Sequence, residues 1–352
     1  MTIAFIPTEE RVMLRDSVRR AVQGKALDWA RCAELGWLAV GLPESAGGLS
    51  GDPYDMAVIA EEFGRASITL PVIETACIAV QALHALAPGD PRLAAIGTGA
   101  LRVALAHDEA GLKGEAAPVA TQASRAGRGF ELSGRKSSVL GAPEADLLLV
   151  SAMLPGEGLS LFALRPEPAA LSIHRTIDGR SAADIVLDRV PADGVALIGA
   201  PGGTAEAIRR ALDFALVLGA ADALGAMQAA LELTRDYLLI RQQHGQRIGD
   251  FQALRHRLAD MFIETEQARS LVLRALAALG GEDQADRTRL AAAAKVRTAQ
   301  AGRFVTGQAI QLHGGIGVTE EYPLGRHFRR ILAFDLRYGT AAAHVGRFAR
   351  LP

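Results

Sequence analysis

The chain has 352 residues, of which 49% are hydrophobic and 22% are charged, enough for two or three domains with substantial cores. Lys and Arg (38) balance Asp and Glu (39) for a net charge of −1. This balance argues against a nucleic acid or a membrane surface as the partner. Cys32 and Cys77 are too few and too dispersed for a disulfide framework or a metal site.

The opening segment, MTIAFIPTEERVMLRDSVRR, lacks the pattern of a secretory signal, because its apolar run is short and acidic residues follow it. No uninterrupted apolar stretch is long enough to span a bilayer. We therefore expect a cytoplasmic protein without a membrane segment.

The pattern of apolar residues changes twice along the chain. Residues 1–100 have helical periodicity, and Thr8 is placed to cap the first helix. Residues 101–202 contain short β-rich runs separated by Gly, Pro and Asp, which is typical of an antiparallel barrel or sandwich. Residues 203–352 return to long helical segments. The order predicts a mainly helical α+β chain with an N-terminal helical domain, a middle antiparallel β domain and a C-terminal helical bundle.

Two local motifs could bind a phosphate-bearing ligand. RQQHG closes a long helix that begins near Thr204, and the planar fork of Arg241 suits a pyrophosphate. QLHGGIG brings Gln311 before Gly314 and Gly315, where the backbone can approach a ligand closely. Taken alone, each motif is better explained as a solvated helix-end arginine or an ordinary glycine helix end.

Taken together and in this order, the motifs resemble the acyl-CoA dehydrogenase family. RQQHGQRIGDFQALRHRLADM is similar to the family's RxxFG segment and the "FQ" helix after it. QLHGGIGVTEEYPLGRHFRR is similar to its Q-x-x-GG-x-G segment followed by E-Y-P. The likeness covers nearly the whole chain. It implies a four-helix bundle as the C-terminal domain, and an oxidoreductase that binds FAD and an acyl-CoA thioester.

The resemblance also assigns FAD contacts. In the family, the arginine and the Q-x-x-GG segment hold the pyrophosphate and adenosine end of an FAD bound mainly by a neighbouring subunit. His244 replaces the family's usual Phe, which alters the adenine contact. The matching positions are Arg241, His244, Gln311, Gly314, Gly315 and Thr340.

The family's catalytic base is missing from its usual places. The family has a Glu in a Y-E-G-T stretch, whereas LRYGT places Tyr338 there, and a phenol with a reference pKa of about 10 is a poor base at neutral pH. The family's alternative position for the Glu, on the helix before RQQHG, is apolar around Ala215. Asp213 and Asp335 are the candidate substitutes.

The segments expected to contact the flavin ring also depart from the family. AHDEAGLKGEAA replaces T-E-P-x-x-G-S-D, which leaves His107 and Asp108 as the nearest polar groups. The family's Trp and Thr are absent after Lys136, where Ser137 and Ser138 follow. The chain thus retains residues that would serve a neighbour's FAD and lacks those for its own.

This pattern resembles the base-lacking subunit of heteromeric family members, in a tetramer whose paralogous partner supplies the base. An electron-accepting flavoprotein would be a further partner, and fatty acid or other lipid metabolism the setting. Three alternatives remain open. They are a homo-oligomeric dehydrogenase with a displaced base, a flavin monooxygenase of the same fold using His107 or His313, and a non-enzymatic assembly partner.

Overall fold

The computed structural model describes residues 8–23, 27–112, 114–116, 118–167 and 169–350. Its first region is helical, and the Oγ1 of Thr8 accepts a hydrogen bond from the amide of Arg11 (3.3 Å), which confirms the predicted cap. A π-helical segment, Ile73–Ala79, leads directly into α4. The helices are α1 (Glu9–Gln23), α2 (Trp29–Glu34), α3 (Pro53–Ala66), α4 (Val80–Leu86) and α5 (Pro91–Gly97).

The middle region is one eight-stranded sheet in the order β6-β7-β3-β2-β4-β5-β8, with β1 beside β4. It is mainly antiparallel, as expected, but β1 runs parallel to β4 with Val103 opposite Leu147. The β2–β3 hairpin lies between these two strands in sequence, and such a crossover is what a parallel pair requires. The strands are β1 (Val103–Ala106), β2 (Gln122–Ala126), β3 (Gly129–Leu140), β4 (Leu147–Leu154), β5 (Gly158–Leu164), β6 (Ala170–Arg175), β7 (Ser181–Ala192) and β8 (Leu197–Ile198).

The last region is helical again and confirms the predicted fold class. Thr204 immediately precedes its first helix. The helices are α6 (Ala205–Ile240), α7 (Gln252–Leu279), α8 (Gln284–His313), α9 (Leu324–Leu336) and α10 (Ala341–Phe348). Helices α6, α7 and α8 pack on one another, and α9 packs against α6 and α8.

Helix α6 is the central element, and α3 crosses it in direct backbone contact. A Cβ at Gly64 would lie 1.7 Å from the carbonyl oxygen of Asp222, and one at Gly225 would lie 1.8 Å from that of Glu61. Any side chain at either position would force the helices apart. This close crossing fixes the N-terminal helices against α6, where Asp222 is buried.

By length and mean hydropathy (1.6), α6 could cross a membrane, contrary to the expectation from sequence. However, 89% of its apolar window is buried within the protein. Long apolar helices at the centre of a folded core have this arrangement, and we interpret α6 as a core helix.

Candidate active site

A cavity of about 260 Å³ lies where the three regions meet. The ends of β1, β3 and β6 form one side, and α6, α9 and the π-helical segment form the other. Leu105, Val139, Leu140 and Ile177 provide apolar walls. The polar groups at its surface include His107, Asp108, Ser137, Ser138, His174 and Thr176. The residues that the sequence placed near a flavin ring therefore do come together, and their apolar and hydroxyl-bearing walls suit a planar ring.

Tyr338 borders this cavity and also a smaller inner cavity of about 20 Å³. Its backbone lies in the left-handed region (φ +53°), and its carbonyl accepts a hydrogen bond from Nε2 of His344 (2.7 Å). Burial, together with the negative charges of Glu74 and Asp108, raises the pKa of the Tyr338 phenol. The hydroxyl group therefore stays protonated, so Tyr338 can donate a hydrogen bond but cannot act as a base at neutral pH.

Asp213, the first candidate substitute base, is fully buried and is not among the residues that line the cavity. Its Oδ2 atom accepts hydrogen bonds from Nε of Arg287 (3.0 Å) and Oγ1 of Thr288 (3.0 Å). Burial raises the pKa of this carboxyl, although Arg287 opposes the shift. The contacts place Asp213 in an ion pair between α6 and α8.

Asp335, the second candidate, is also absent from the cavity lining. One carboxylate oxygen pairs with Arg303, and the other accepts a hydrogen bond from the backbone N–H of Ala341 (2.9 Å). These contacts tie the end of α9 to the start of α10. Both oxygens are occupied, so the geometry gives Asp335 a structural role.

Glu74 is a carboxylate of the site that sequence reasoning missed. It lies on the π-helical segment, borders both cavities and is 7% exposed. Its Oε1 atom pairs with Arg180, whereas its Oε2 atom is buried without a hydrogen-bond partner among the described residues. The available signal was a single acidic residue within the apolar run LPVIETACIAV.

Four charged side chains, Glu74, Arg180, Asp222 and Arg337, line the inner cavity. Arg330 and Asp178 pair with two of them and complete a six-residue cluster from all three regions. Asp222 binds Nη2 of Arg180 (2.7 Å) and both Nε and Nη2 of Arg330 (2.6 Å each). Asp178 accepts two hydrogen bonds of 2.7 Å from Nη2 of Arg337. With Glu74, the cluster contains three carboxylates and three guanidinium groups. Its formal charge is therefore balanced.

His107 is held inside the β domain. Its Nδ1 lies 2.9 Å from Oγ of Ser151, and its Nε2 lies 2.7 Å from the carbonyl oxygen of Glu115. Nζ of Lys136 contacts the His107 carbonyl and Glu109 (2.8 Å). Burial lowers the pKa of His107 to about 4, so the ring is neutral and both its nitrogens are engaged. Acid–base chemistry by His107 would first have to break one of these contacts.

Acid should destabilise the protein through His107 and His327, because burial lowers the pKa of each to about 4. The unfolded histidines have a pKa of about 6.5 and bind protons first, so the contribution to stability is complete above pH 6.5 and is lost as the pH falls towards 4. We expect a loss of about 2 kcal/mol per histidine at pH 5 relative to pH 7, measured by chemical denaturation.

The variant His327→Leu should remove about 2 kcal/mol of this acid-dependent loss, and the exposed control His256→Gln should leave it unchanged. An unaltered acid-dependent loss in His327→Leu would exclude His327 as a source.

The predicted FAD contacts gather at the far end of the helical bundle. Arg241 follows α6 and Gln311 lies in the last turn of α8, and both side chains are exposed. Stacking of Tyr237 on His313 (ring centroids 4.4 Å apart) joins the two helix ends. No hydrogen bond or ion pair to the Arg241 guanidinium is present within the described ranges. Gly314 (φ +63°) and Gly315 face open space.

The remaining residues of this group differ in their placement. His244 is exposed, has φ +53° and lies in the hairpin between Arg241 and Arg247. Thr340 is not at this end of the bundle; its hydroxyl oxygen caps α10 by accepting a hydrogen bond from the amide of Ala343 (3.3 Å). His313 is buried, with Nδ1 2.8 Å from the carbonyl oxygen of Ala309 and Nε2 3.1 Å from Oη of Tyr322. Neither ring nitrogen of His313 is available to a flavin.

Comparison with known proteins agrees with this architecture over almost the whole chain. A chain in the structure of a variant of the Tcur3481-Tcur3483 steroid ACAD is 31% identical, with a TM-score of 0.85 over 97% of each chain. The short-chain specific acyl-CoA dehydrogenase of Bos taurus mitochondria is 29% identical, over 88% of this chain and 78% of its own length. Subunit CarC of the caffeyl-CoA reductase-Etf complex of Acetobacterium woodii is 28% identical, over 88% and 85%.

Two family models match the regions on either side of the sheet. The acyl-CoA dehydrogenase N-terminal domain matches residues 8–88, and the acyl-CoA dehydrogenase C-terminal domain matches residues 202–351. The two matches together cover more than half of the chain. The chain therefore belongs to the acyl-CoA dehydrogenase family, whose members are oxidoreductases that act on acyl-CoA.

Proposed function

We propose that this chain is a subunit of an FAD-dependent acyl-CoA dehydrogenase, that it lacks the family's usual catalytic Glu, and that it contributes a clasp for the adenosine and pyrophosphate end of an FAD bound by a partner subunit. We define the clasp as Arg241, Gln311, Gly314 and Gly315. The main support for the proposal is the distance between this clasp and the cavity in the same chain.

Helix α6 sets that distance. It has 36 residues, and at a rise of about 1.5 Å per residue it extends about 54 Å. Leu212, near its start, lines the cavity, whereas Arg241 follows its last residue. The two sites are therefore about 40 Å apart along the helix axis, farther than one FAD molecule can bridge. The clasp must act on a cofactor seated in another chain.

The chemistry of the clasp fits a pyrophosphate. The Arg241 guanidinium is charged at all physiological pH values and offers parallel N–H donors. Gly314 and Gly315 leave room for the ligand to approach the backbone. The side chains of Arg241 and Gln311 are exposed, so a second chain can reach them.

In the reaction of the family, a base removes the α-proton of the thioester, and FAD, when bound, accepts the β-hydrogen as hydride. In this chain, Tyr338 occupies the position of the base and keeps its proton. Asp213 and Asp335 are held in ion pairs. We propose that the partner subunit supplies the proton acceptor, and Glu74, whose Oε1 atom pairs with Arg180, is the carboxylate of this chain to test against it.

Two relatives support partners of this kind. The steroid ACAD relative is named for two components, Tcur3481 and Tcur3483, consistent with a heteromer of paralogous chains. The CarC relative is a subunit of an Etf complex, consistent with transfer of electrons to a flavoprotein. The proposal includes a tetrameric assembly, a cytoplasmic location and a substrate from fatty acid or other lipid metabolism.

The variant Arg241→Ala should weaken FAD retention in the assembled complex about ten- to a hundred-fold. It removes hydrogen bonds to a charged group, worth about 1.5–3 kcal/mol, and Ala maintains the helix end. Arg241→Lys should restore only part of the affinity, because an ammonium group lacks the fork. Equilibrium dialysis of FAD against the purified complex measures the change.

The matched control is Arg235→Ala, on the same helix. Arg235 is exposed and pairs only with Asp236 (2.8 Å) within the described part of the chain, so its loss should leave FAD retention unchanged. Equal retention of FAD by the Arg241→Ala and Arg235→Ala complexes would refute the clasp, and with it the proposed contribution to a partner's cofactor.

A further inference from the structure

The inner cavity is lined by polar atoms that have no hydrogen-bond partner among the described residues. They include Oε2 of Glu74, Nε of Arg337 and Nε of Arg180. The Arg180 atom lies 3.5 Å from Oδ2 of Asp178, too far for a good hydrogen bond. Tyr338 borders the same cavity, and its hydroxyl group makes no hydrogen bond to another described residue. One carboxylate oxygen and several N–H or O–H donors thus face the same small space.

The rest of this space is apolar and close to the size of one small group. Ile73, Ala215, Leu218, Gly219 and Phe334 complete its walls, and about 20 Å³ is enough for one water molecule with several polar partners. Glu74, Ile78, Arg337 and Tyr338 border both cavities, so a ligand in the outer cavity would extend into this space.

A hydrocarbon chain entering the inner cavity would leave the polar atoms unpaired, which is costly for each buried group. One hydroxyl group would satisfy up to three of them, because it can donate to Oε2 of Glu74 while accepting from Nε of Arg337 and from the hydroxyl of Tyr338. A carbonyl oxygen would leave Oε2 of Glu74 unpaired. The arrangement therefore favours a group that both donates and accepts.

The charge around the cavity excludes an ionised ligand. Three guanidinium groups and three carboxylates balance one another, and Asp108 and Arg175, which line the outer cavity, add one charge of each sign. A ligand carboxylate would introduce an uncompensated buried negative charge, and a ligand ammonium would introduce an uncompensated buried positive charge. A neutral group meets no such penalty.

We propose that the inner cavity binds a hydroxyl group on the acyl chain of a CoA thioester, with Glu74 as the hydrogen-bond acceptor and Tyr338 and Arg337 as donors. The position that holds a base in related enzymes would then be a substrate-binding donor in this chain. This inference rests on the proposed function, because it takes the ligand of the outer cavity to be an acyl-CoA.

Binding of matched acyl-CoA pairs to the purified full-length chain tests the inference without requiring turnover. Each pair consists of a saturated acyl-CoA and the same molecule with one hydroxyl group, placed at successive carbons along the series. Isothermal titration calorimetry should show at least one hydroxylated member binding about ten-fold or more tightly than its hydrocarbon partner. Equal affinities throughout the series would overturn the inference and leave the proposed function intact. A chain that binds no acyl-CoA would also overturn the inference, whereas the clasp is tested separately by FAD retention in the Arg241→Ala complex.

The variant Tyr338→Phe removes only the phenolic oxygen. It should reduce the ratio of the two affinities, hydroxylated ligand over hydrocarbon partner, several-fold. Tyr54→Phe is the control, because that hydroxyl bonds the carbonyl oxygen of Leu273 (3.2 Å) between α3 and α7 and should not affect ligand choice. A full preference retained in Tyr338→Phe would remove Tyr338 from the proposed site.

Discussion

The isolated chain, supplied with FAD, should oxidise acyl-CoA about 10²–10⁴-fold more slowly than family members that retain their base, because this is the usual cost of losing a general base. Burial and two neighbouring carboxylates raise the pKa of the Tyr338 phenol, so it cannot take up the α-proton. Asp213 and Asp335 are bound by Arg287 and Arg303. A dye-linked assay of the chain alone, and then with its partner, measures the difference.

Carboxamide variants distinguish this expectation from a displaced base. Robust turnover by the isolated chain, abolished by Asp213→Asn or Asp335→Asn, would identify the replacement base and support a homo-oligomeric enzyme. Glu74→Gln belongs in the same series, because Oε2 of Glu74 is the buried carboxylate oxygen beside Tyr338 that lacks a partner among the described residues. Tyr338→Glu is the complementary experiment, since it restores a carboxylate at the position of the family's base.

The order of helices and strands could be predicted because it depends on local patterns. The spacing of apolar residues changes from helical to strand-like near residue 101 and back to helical near residue 203. The structure changes from helix to strand after Gly97 and back to helix after Ile198. The parallel pairing of β1 with β4 could not be predicted, because it depends on where the β2–β3 hairpin inserts rather than on the composition of either strand.

The site was only partly predictable from sequence. The convergence of RQQHG and QLHGG at one end of the bundle follows from the resemblance, and the side chains of Arg241 and Gln311 are exposed there. The roles of Asp213 and Glu74 depend on partners far away in the chain: Arg287 lies 74 residues from Asp213, and Arg180 lies 106 residues from Glu74. Sequence spacing along a helix contains no information about such contacts. Glu74, whose Oε2 atom has no partner among the described residues, lies in the N-terminal region, far in sequence from both motifs.

The variant Asp222→Asn should reduce the free energy of unfolding by about 3–5 kcal/mol, the usual cost of removing one partner from a buried ion pair. Burial alone would raise the pKa of Asp222, but Arg330 and Arg180 lower it. The asparagine fills a similar volume but carries no charge, which leaves one guanidinium group in excess. Arg330 is 1% exposed and has no other carboxylate in hydrogen-bond contact within the described ranges.

A double variant separates this loss of charge balance from a simple packing defect. In Asp222→Asn with Arg330→Gln, the cluster retains two carboxylates (Glu74 and Asp178) and two guanidinium groups (Arg180 and Arg337), so its charge is balanced again. The double variant should therefore be more stable than Asp222→Asn alone. The exposed pair offers the control: Asp236→Asn breaks the contact with Arg235 and should cost at most about 1 kcal/mol. If chemical denaturation shows Asp222→Asn to be no more harmful than Asp236→Asn, the buried cluster does not hold the three regions together.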